Sequence, residues 1–259
     1  MPLLTPSAVV TTLRAAGCVF AEDEAELILA TARTPDELTA MVDRRAAGLP
    51  LEHVLGWAGF HGLRITVEPG VFVPRRRTEF LVDQALARSP GARVVVDLCC
   101  GSGAVGAALA ASLGRVELHA ADVDPAAVRC ARRNLAEYGG HAHAGDLFEP
   151  LPRTIRGRVD ILAANVPYVP SGEVGLLPAE AREHEPLRAL DGGTDGLDVL
   201  RRVAGAAPDW LAPGGCLLIE TGEQQAREAV GIFARAGLTT SLAISEELYA
   251  HVVIGVGPY

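Results

Sequence analysis

The sequence predicts an α/β fold in which a mostly parallel sheet carries helices on both faces. From residue 75 onward, short apolar runs alternate with helical patterns, and glycine-rich or acidic turns follow several of the apolar runs. The chain has 259 residues and 49% hydrophobic content, which is enough for one large core or two modest ones. We therefore expect a doubly wound, Rossmann-like sheet as the main body of the protein.

The N-terminal part has a different pattern. Residues 5–48 carry few strand signals and are predicted to be helical, and Thr34 followed by proline and two acids is typical of a helix N-cap. Residues 51–73 are β-prone and interrupted by glycines, which predicts two strands joined by turns. The predicted units are an N-terminal helical domain at 1–50, a β-hairpin linker at 51–74 and an α/β domain at 75–259.

Strands and helices are predicted to alternate through the α/β domain. The predicted strands are 94–98, 116–121, a third near 143–145, 159–164, 215–220, 238–244 and 249–256. The predicted helices are 104–113, 125–138, 198–210 and 223–236. Asp124 is expected to cap the helix that starts at residue 125.

Charge and composition exclude several classes of protein. The net charge is −9, with 23 basic against 32 acidic residues, which argues against nucleic acid as the main substrate. The one dense basic run, at 75–77, is either a solvated, locally paired loop or a ligand-facing one. No apolar run reaches the length of a membrane span, and the N-terminus lacks the pattern of a signal peptide.

The cysteines and histidines point to neither disulfides nor metal. Five cysteines without a CxxC pair predict no disulfide framework and no zinc site, which fits a reducing cytoplasm. The histidines near residues 141, 143 and 184 lack a convincing set of ligand partners and are expected to be structural or exposed. We expect a cytoplasmic monomer without metal, membrane contact or stably bound nucleic acid.

A glycine-rich turn after the strand at 94–98 predicts a cofactor site. Gly101, Gly103 and Gly106 match the spacing of a dinucleotide fingerprint, but such a match alone is weak. Asp97 precedes the glycines, and its carboxylate would repel a pyrophosphate while suiting an amine-bearing ligand. The turn therefore favours S-adenosylmethionine, whose amino acid and sulfonium carry positive charge, over a phosphate-bearing cofactor.

Two further acids follow neighbouring strands. Asp122 is placed to accept both hydroxyls of a ribose, and Asp146 is placed to accept an adenine amino group, with Leu147 flanking the ring. The predicted cofactor-binding residues are Asp97, Cys99, Cys100, Gly101, Ser102, Gly103, Asp122, Val123, Asp146, Leu147 and Asn165.

The run Asn165-Val166-Pro167-Tyr168 closes the strand at 159–164. Asn165 offers an amide acceptor and donor, Pro167 biases Val166 towards an extended conformation, and Tyr168 brings a flat face with a hydroxyl. Such a tetrapeptide can hold a planar group that carries NH₂. It closely resembles the Asn-Pro-Pro-Tyr motif of methyltransferases that act on amide or exocyclic amino nitrogens, although a plain strand followed by a turn has the same pattern.

Several ordered motifs together resemble the protein-glutamine methyltransferase family that modifies the Gly-Gly-Gln loop of peptide chain release factors. The resemblance covers roughly residues 50–256. Its segments are 51–56, 60–63, 73–79 (Val-Pro-Arg-Arg-Arg-Thr-Glu), 97–103, 165–168, 185–197 and the run that begins Glu220-Thr221-Gly222. The sequence departs from the family pattern at Val166, which replaces a proline, in the arginine triplet, in a somewhat short N-terminal region and at 245–249.

The resemblance implies a class I methyltransferase sheet and transfer of a methyl group from S-adenosylmethionine to a glutamine side-chain amide. It implies that the N-terminal helical domain docks a protein substrate, a release factor. The expected catalytic residues are Asn165, Val166, Pro167 and Tyr168, and the expected substrate-binding residues are these four with Phe72 and Arg75. The alternatives are an amino-methyltransferase that acts on adenine or a small metabolite, and a methyltransferase-like scaffold without activity.

Overall fold

The computed structural model describes residues 4–258 of the chain. Its N-terminal part consists of three helices that share a small apolar core of their own. They are α1 (Pro6–Ala15), α2 (Ala21–Thr31) and α3 (Pro35–Ala46). The Thr34 hydroxyl accepts a hydrogen bond from the Glu37 backbone N–H at 3.1 Å, which stabilises the start of α3. The helical prediction for residues 5–48 is confirmed over the part described.

The linker begins with a short helix that the sequence pattern did not predict, α4 (Leu51–Leu55). An antiparallel hairpin of β1 (Trp57–Phe60) and β2 (Leu63–Thr66) follows, as expected. Buried His53 on α4 bonds through Nε2 to the Val71 carbonyl oxygen at 2.9 Å, and burial lowers the pKa of the imidazole. This bond fixes the helix to the chain that leaves the hairpin.

A seven-stranded sheet forms the centre of the remaining chain. Its strands are β3 (Val94–Leu98), β4 (Glu117–Asp122), β5 (His141–Ala144), β6 (Val159–Ala164), β7 (Leu211–Thr221), β8 (Thr239–Ser245) and β9 (Ala250–Val256). Their spatial order is β5-β4-β3-β6-β7-β9-β8. Strands β3 to β7 are parallel, and β9 runs antiparallel to both of its neighbours, β7 and β8, so the prediction of a mostly parallel sheet is confirmed.

Two apolar cores lie on opposite faces of the sheet. The helices are α5 (Glu79–Arg88), α6 (Ala104–Leu113), α7 (Pro125–Leu135), α8 (Ala179–His184), α9 (Asp198–Ala206) and α10 (Ala226–Arg235). Helices α5, α6 and α7 pack on one face, and α9 and α10 on the other.

The sequence analysis missed α5, and the predicted helices at 125–138, 198–210 and 223–236 each contain a 3₁₀ turn at one end. The cap predicted at Asp124 is confirmed, because its Oδ1 accepts from the Ala126 N–H at 2.8 Å.

The parallel strands determine where a ligand can bind, because their carboxyl ends meet at one edge of the sheet. The division of the chain at residues 50 and 74 stays a prediction. Within residues 4–258, the structure has no helix with both the length and the apolar character that crossing a membrane requires.

Asn134 on α7 joins the hairpin linker to the glycine-rich turn. Its Nδ2 donates to the carbonyl oxygens of Thr66 (2.9 Å) and Ser102 (2.8 Å), and its Oδ1 accepts from the Thr66 N–H at 2.9 Å. One side chain therefore satisfies backbone groups in two segments that are far apart in sequence.

Asn134→Ala should destabilise the protein, since it leaves partly buried backbone groups without partners. We expect a loss of about 1–3 kcal/mol in the free energy of unfolding, measured by urea denaturation. The matched control is Arg133→Ala, which removes only an exposed ion pair with Glu68 and should cost about 0–1 kcal/mol. Equal stability of the two variants would contradict the role given to Asn134.

Candidate functional site

The site is a cavity of about 670 Å³ at the carboxyl ends of β3, β4 and β6. Nearly all residues that the sequence analysis assigned to cofactor and substrate line this cavity. These are Phe72, Arg75, Asp97, Cys99, Cys100, Gly101, Ser102, Asp122, Val123, Asp146, Leu147, Asn165, Val166, Pro167 and Tyr168. Gly103 is the exception: it lies behind the wall, at the start of α6.

The glycine-rich turn has backbone conformations that explain its composition. Gly101 and Gly103 have φ angles of 54° and 78°, and Cys99 has the same left-handed conformation with φ of 53°. A Cβ on residue 103 would lie 3.1 Å from the Ala131 Cβ, so α6 packs closely against α7 only with glycine there. The role of Gly103 is therefore packing beneath the turn, while Gly101 exposes backbone to the cavity.

Asp97 is buried in the floor of the cavity, with 1% of its surface exposed. Its Oδ2 accepts a hydrogen bond from the Gly106 N–H at 2.9 Å. Burial raises the pKa of Asp97 to about 7, because the described residues place no cation against the carboxylate. A ligand ammonium group would supply the missing partner.

The same contact explains the third glycine of the apparent dinucleotide fingerprint. A Cβ on residue 106 would lie 3.2 Å from Asp97 Oδ2 and crowd the carboxylate. Glycine at position 106 thus allows close approach to Asp97, and a phosphate group is not required to explain it.

Asp122 lies at the end of β4, beside the glycine-rich turn. Its Oδ2 accepts from the Gly101 N–H at 2.9 Å and its Oδ1 from the Asp124 N–H at 2.8 Å. Each carboxylate oxygen retains a lone pair for a further donor. Burial raises the pKa of Asp122 above its ordinary value. A vicinal diol, with two adjacent O–H donors, fits the two free acceptor positions.

Asp146 and its neighbours form the outer wall. Asp146 Oδ2 accepts a hydrogen bond from Arg202 Nη2 at 2.5 Å, which leaves its Oδ1 facing no described donor. Leu147 has a left-handed φ of 49°, and Val123 is 55% exposed. An apolar surface thus stands beside a polar acceptor, the combination that a flat heterocycle with an amino group requires.

The loop after β6 forms the other half of the cavity. Asn165 Nδ2 donates to Thr78 Oγ1 at 3.4 Å, so the side-chain oxygen of Asn165 remains free to accept. Val166 is only 1% exposed and belongs to the apolar core that contains α9 and α10. The side chain of Val166 therefore anchors the loop, and its backbone carbonyl is the group it can offer to a ligand.

The Tyr168 side chain is held by a polar network. Its hydroxyl donates to Glu220 Oε1 at 3.1 Å and accepts from Arg77 Nη2, while Arg77 Nε donates to the same Glu220 oxygen at 2.9 Å. Burial and the nearby Glu220 carboxylate raise the pKa of the Tyr168 phenol. The ring keeps a fixed position as a wall of the cavity and stays protonated.

Arg75 is paired with a buried acid from a distant segment. Its Nη2 donates to both carboxylate oxygens of Glu185, at 2.7 and 2.6 Å, and its guanidinium lies 5.0 Å from the centre of the Phe72 ring. The Glu185 side chain is 1% exposed. Arg75 and Arg77 are thus both locally paired and part of the cavity lining, so the two interpretations of the basic run at 75–77 hold together for these residues.

Several cavity residues were not identified from the sequence. They include Thr78, Arg77, Leu177, Glu180, Glu185, Arg188 and Arg202. Thr78 and Glu185 lie in segments that carry the family resemblance, so they could have been singled out there. Leu177, Glu180 and Arg188 lie between β6 and α9, where the sequence has no periodic pattern.

Among residues 4–258, no group of three His, Cys, Asp or Glu side chains is placed to hold a metal ion. His119 and His143 instead stack on each other, with 5.3 Å between ring centres.

Comparison with known proteins identifies the fold and the type of domain. The family model of the methyltransferase small domain matches residues 62–177. A solved methyltransferase from Pyrococcus furiosus has the same fold, with a TM-score of 0.58 and 17% identity, over 85% of this chain and 98% of that one. The acids, glycine-rich turn and aromatic loop thus stand on a class I methyltransferase sheet, and their donor and acceptor pattern fits S-adenosylmethionine.

Similarity in sequence shows to which family of methyltransferases the chain belongs. The release factor glutamine methyltransferase of Geobacter sulfurreducens is 42% identical over 208 residues, 78% of this chain and 72% of that protein. The one from Mycolicibacterium smegmatis is 35% identical over 93% of this chain and 92% of that protein. A 4-amino-L-phenylalanine/4-methylamino-L-phenylalanine methyltransferase of Streptomyces pristinaespiralis is 35% identical over 87% of this chain and 78% of that protein. On this similarity in sequence, the chain belongs to the release factor glutamine methyltransferase family.

Proposed function

We propose that this protein uses S-adenosylmethionine to methylate the side-chain amide nitrogen of a glutamine, in the Gly-Gly-Gln motif of a peptide chain release factor. The observation that supports it most is the Asn165–Tyr168 loop, which shares one cavity with Asp97 and Asp122. A site for an amine- and diol-bearing cofactor thus adjoins a site for a planar amide. The substrate would be met in the cytoplasm, where release factors act.

Asp97 and Asp122 would hold the cofactor. The Asp97 carboxylate pairs with the α-ammonium group, and Asp122 accepts the two ribose hydroxyls. Asp146 Oδ1 accepts the adenine amino group, and Leu147 packs against the ring. When bound, S-adenosylmethionine supplies a methyl group made electrophilic by its sulfonium.

The acceptor loop must overcome the weak nucleophilicity of an amide nitrogen, whose lone pair is delocalised into the carbonyl. Asn165 Oδ1 and the Val166 carbonyl oxygen accept the two N–H bonds of the glutamine amide. These two bonds fix the direction of the nitrogen lone pair and favour pyramidal geometry at nitrogen. Alignment of bound reactants can lower the barrier by as much as about 7–11 kcal/mol. Tyr168, held by Arg77 and Glu220, packs on the amide plane.

A second candidate is methylation of an aromatic amine on a small metabolite. The similarity to the 4-amino-L-phenylalanine methyltransferase favours it, and an arylamine could use the same two acceptors as an amide. Adenine in nucleic acid is a weaker candidate, because the chain has a net charge of −9. The N-terminal helices favour a protein substrate, since a small metabolite needs no separate docking domain.

Mass spectrometry of a purified release factor, incubated with the protein and isotope-labelled S-adenosylmethionine, tests the proposal. We expect one methyl group on the glutamine of the Gly-Gly-Gln motif and none on a factor in which that glutamine is replaced. Parallel reactions contain 4-amino-L-phenylalanine and an adenine-containing oligonucleotide. Methylation of either of these in place of the release factor would overturn the assignment, and failure to bind the cofactor would favour a scaffold.

Cofactor affinity should depend on pH through Asp97. The free protein holds a proton on Asp97 below its pKa of about 7, and that proton must leave before the carboxylate can pair with an ammonium group. Calorimetry on the wild-type protein should show affinity that falls by up to about tenfold per pH unit below about pH 7.

The control for this measurement is Asp97→Asn, which keeps an acceptor for the Gly106 N–H. This variant should bind the cofactor weakly and lose the pH dependence near neutrality, with only a dependence at lower pH from Asp122. The ligand-free variant should also be more stable than wild type at pH 8. An acid whose pKa is higher in the folded than in the unfolded protein destabilises the fold. This cost grows as the pH rises from the unfolded-state pKa to the folded-state pKa. An unchanged pH profile would remove Asp97 from the cofactor site.

Asn165→Ala should lower turnover strongly and leave cofactor affinity nearly intact. The truncation deletes one of two acceptors that align the substrate amide, and we expect kcat to fall by about 10²–10³-fold, as for loss of a single aligned hydrogen-bonding group in other enzymes. Calorimetry with the cofactor alone is the internal control. A variant that lost cofactor binding in proportion to activity would show that Asn165 serves the cofactor.

A further inference from the structure

We infer that Gln225 is a positioning residue for methyl transfer, which fixes the backbone of the acceptor loop from outside the cavity. The catalytic consequence of this inference rests on the proposed function. The hydrogen bonds of the Gln225 side chain, from which it is argued, do not depend on which acceptor is methylated. Gln225 does not line the cavity, and neither the cofactor nor the substrate residues identified above include it.

The Gln225 side chain acts as a clamp between two loops. Its Nε2 donates to the Tyr168 carbonyl oxygen at 2.9 Å and to the Asp195 carbonyl oxygen at 2.8 Å. Its Oε1 accepts from the Gly222 N–H at 3.3 Å, which orients the amide so that both donors point at the carbonyls. Gln225 thus ties the last residue of the acceptor tetrapeptide to the loop before α9.

The close packing around the clamp requires glycine at two positions. Gly196 has a φ of 74°, and a Cβ there would overlap both Gln225 Nε2 and the Tyr168 carbonyl oxygen. A Cβ on Gly192 would lie 2.6 Å from the Pro167 carbonyl oxygen. These two glycines therefore permit the close approach of the acceptor loop to the loop before α9, and the hydrogen bonds of Gln225 stabilise that approach.

The opposite side of Tyr168 is fixed separately. Its hydroxyl is bound by Arg77 and Glu220, so the ring is held at its tip and the backbone at its carbonyl. Without Gln225 the ring stays attached, while the backbone between Asn165 and Tyr168 gains freedom. Because Asn165 Oδ1 and the Val166 carbonyl must align the acceptor nitrogen, freedom in this backbone lowers kcat more than it weakens binding.

The test compares Gln225→Glu with Gln224→Glu. Both variants change the net charge equally, and Gln224 is the exposed neighbour on the same turn. At pH 8 the new carboxylate at 225 can donate to neither carbonyl, and we expect kcat to fall by about 10²-fold relative to Gln224→Glu, with cofactor Kd unchanged. The rate is measured with whichever acceptor the wild-type protein methylates.

A pH series separates positioning from simple damage to the fold. Two facing carbonyl oxygens raise the pKa of the introduced carboxyl, and its protonated form regains one O–H donor. The ratio of the kcat of Gln225→Glu to that of Gln224→Glu should therefore rise as the pH falls from about 8 to about 6. A loss of activity that is constant with pH, accompanied by lower thermal stability and weaker cofactor binding, would overturn the inference in favour of a structural role.

Hydrogen exchange decides the question without any acceptor. Gln225→Glu should speed exchange at the backbone N–H groups of Val169 and Gly192, which bond to the Leu190 and Val169 carbonyls, and leave the strands unchanged. Wild-type exchange at these positions would refute the clamp. If the wild-type protein methylated no release factor, the proposed function would fail while this measurement still settled the role of Gln225.

Discussion

Parallel pairing of β3 with β4 and β6 is the constraint on which the site depends. Leu98 is level with Ala121 on one side and with Ala164 on the other. The residues that come next, Cys99, Asp122 and Asn165, therefore lie in one row across the edge of the sheet. A slip of one residue in either pairing would turn a polar side chain away from the cavity. The apolar residues on both faces of β3 prevent such a slip, because each fills one of the two cores.

This row also explains how much of the site could be predicted from the sequence. Asp97 lies one residue before the end of β3, Asp122 ends β4 and Asn165 follows β6. Strand ends in a parallel sheet share an edge, so the meeting of these residues follows from local patterns. The pairs Arg75–Glu185 and Arg77–Glu220 could not be predicted in this way. Their partners are more than a hundred residues apart, and a pattern of apolar positions says which element a residue occupies but not which loops meet. Helix α5 was not predicted for a local reason: its ten residues follow closely after the arginine run and have no clear capping signal.

The acidic residues of the cavity have different partners on the cofactor side and on the acceptor side. On the cofactor side, buried Asp97 and partly buried Asp122 have only backbone donors, and burial raises the pKa of both. On the acceptor side, the acids Glu185 and Glu220 are buried against arginines. Carboxylates that await a cationic ligand destabilise the free protein, whereas paired ones rigidify the loops that carry them. The first pair makes binding of a ligand with an ammonium group and a diol favourable, and the second keeps the acceptor loop in place before any substrate arrives.

The departure from the family pattern at Val166 can be understood from the same geometry. A proline at this position would offer its carbonyl to the substrate and restrict the backbone by its ring. Val166 offers the same carbonyl, and its side chain is 1% exposed in the core beneath the loop. Burial of a β-branched side chain limits the backbone by packing, where proline limits it by covalent geometry. The loop then needs restraint at its other end as well, which the bond from Gln225 to the Tyr168 carbonyl supplies. Chemistry at the acceptor nitrogen therefore depends on contacts that lie behind the loop as much as on the residues that face the substrate.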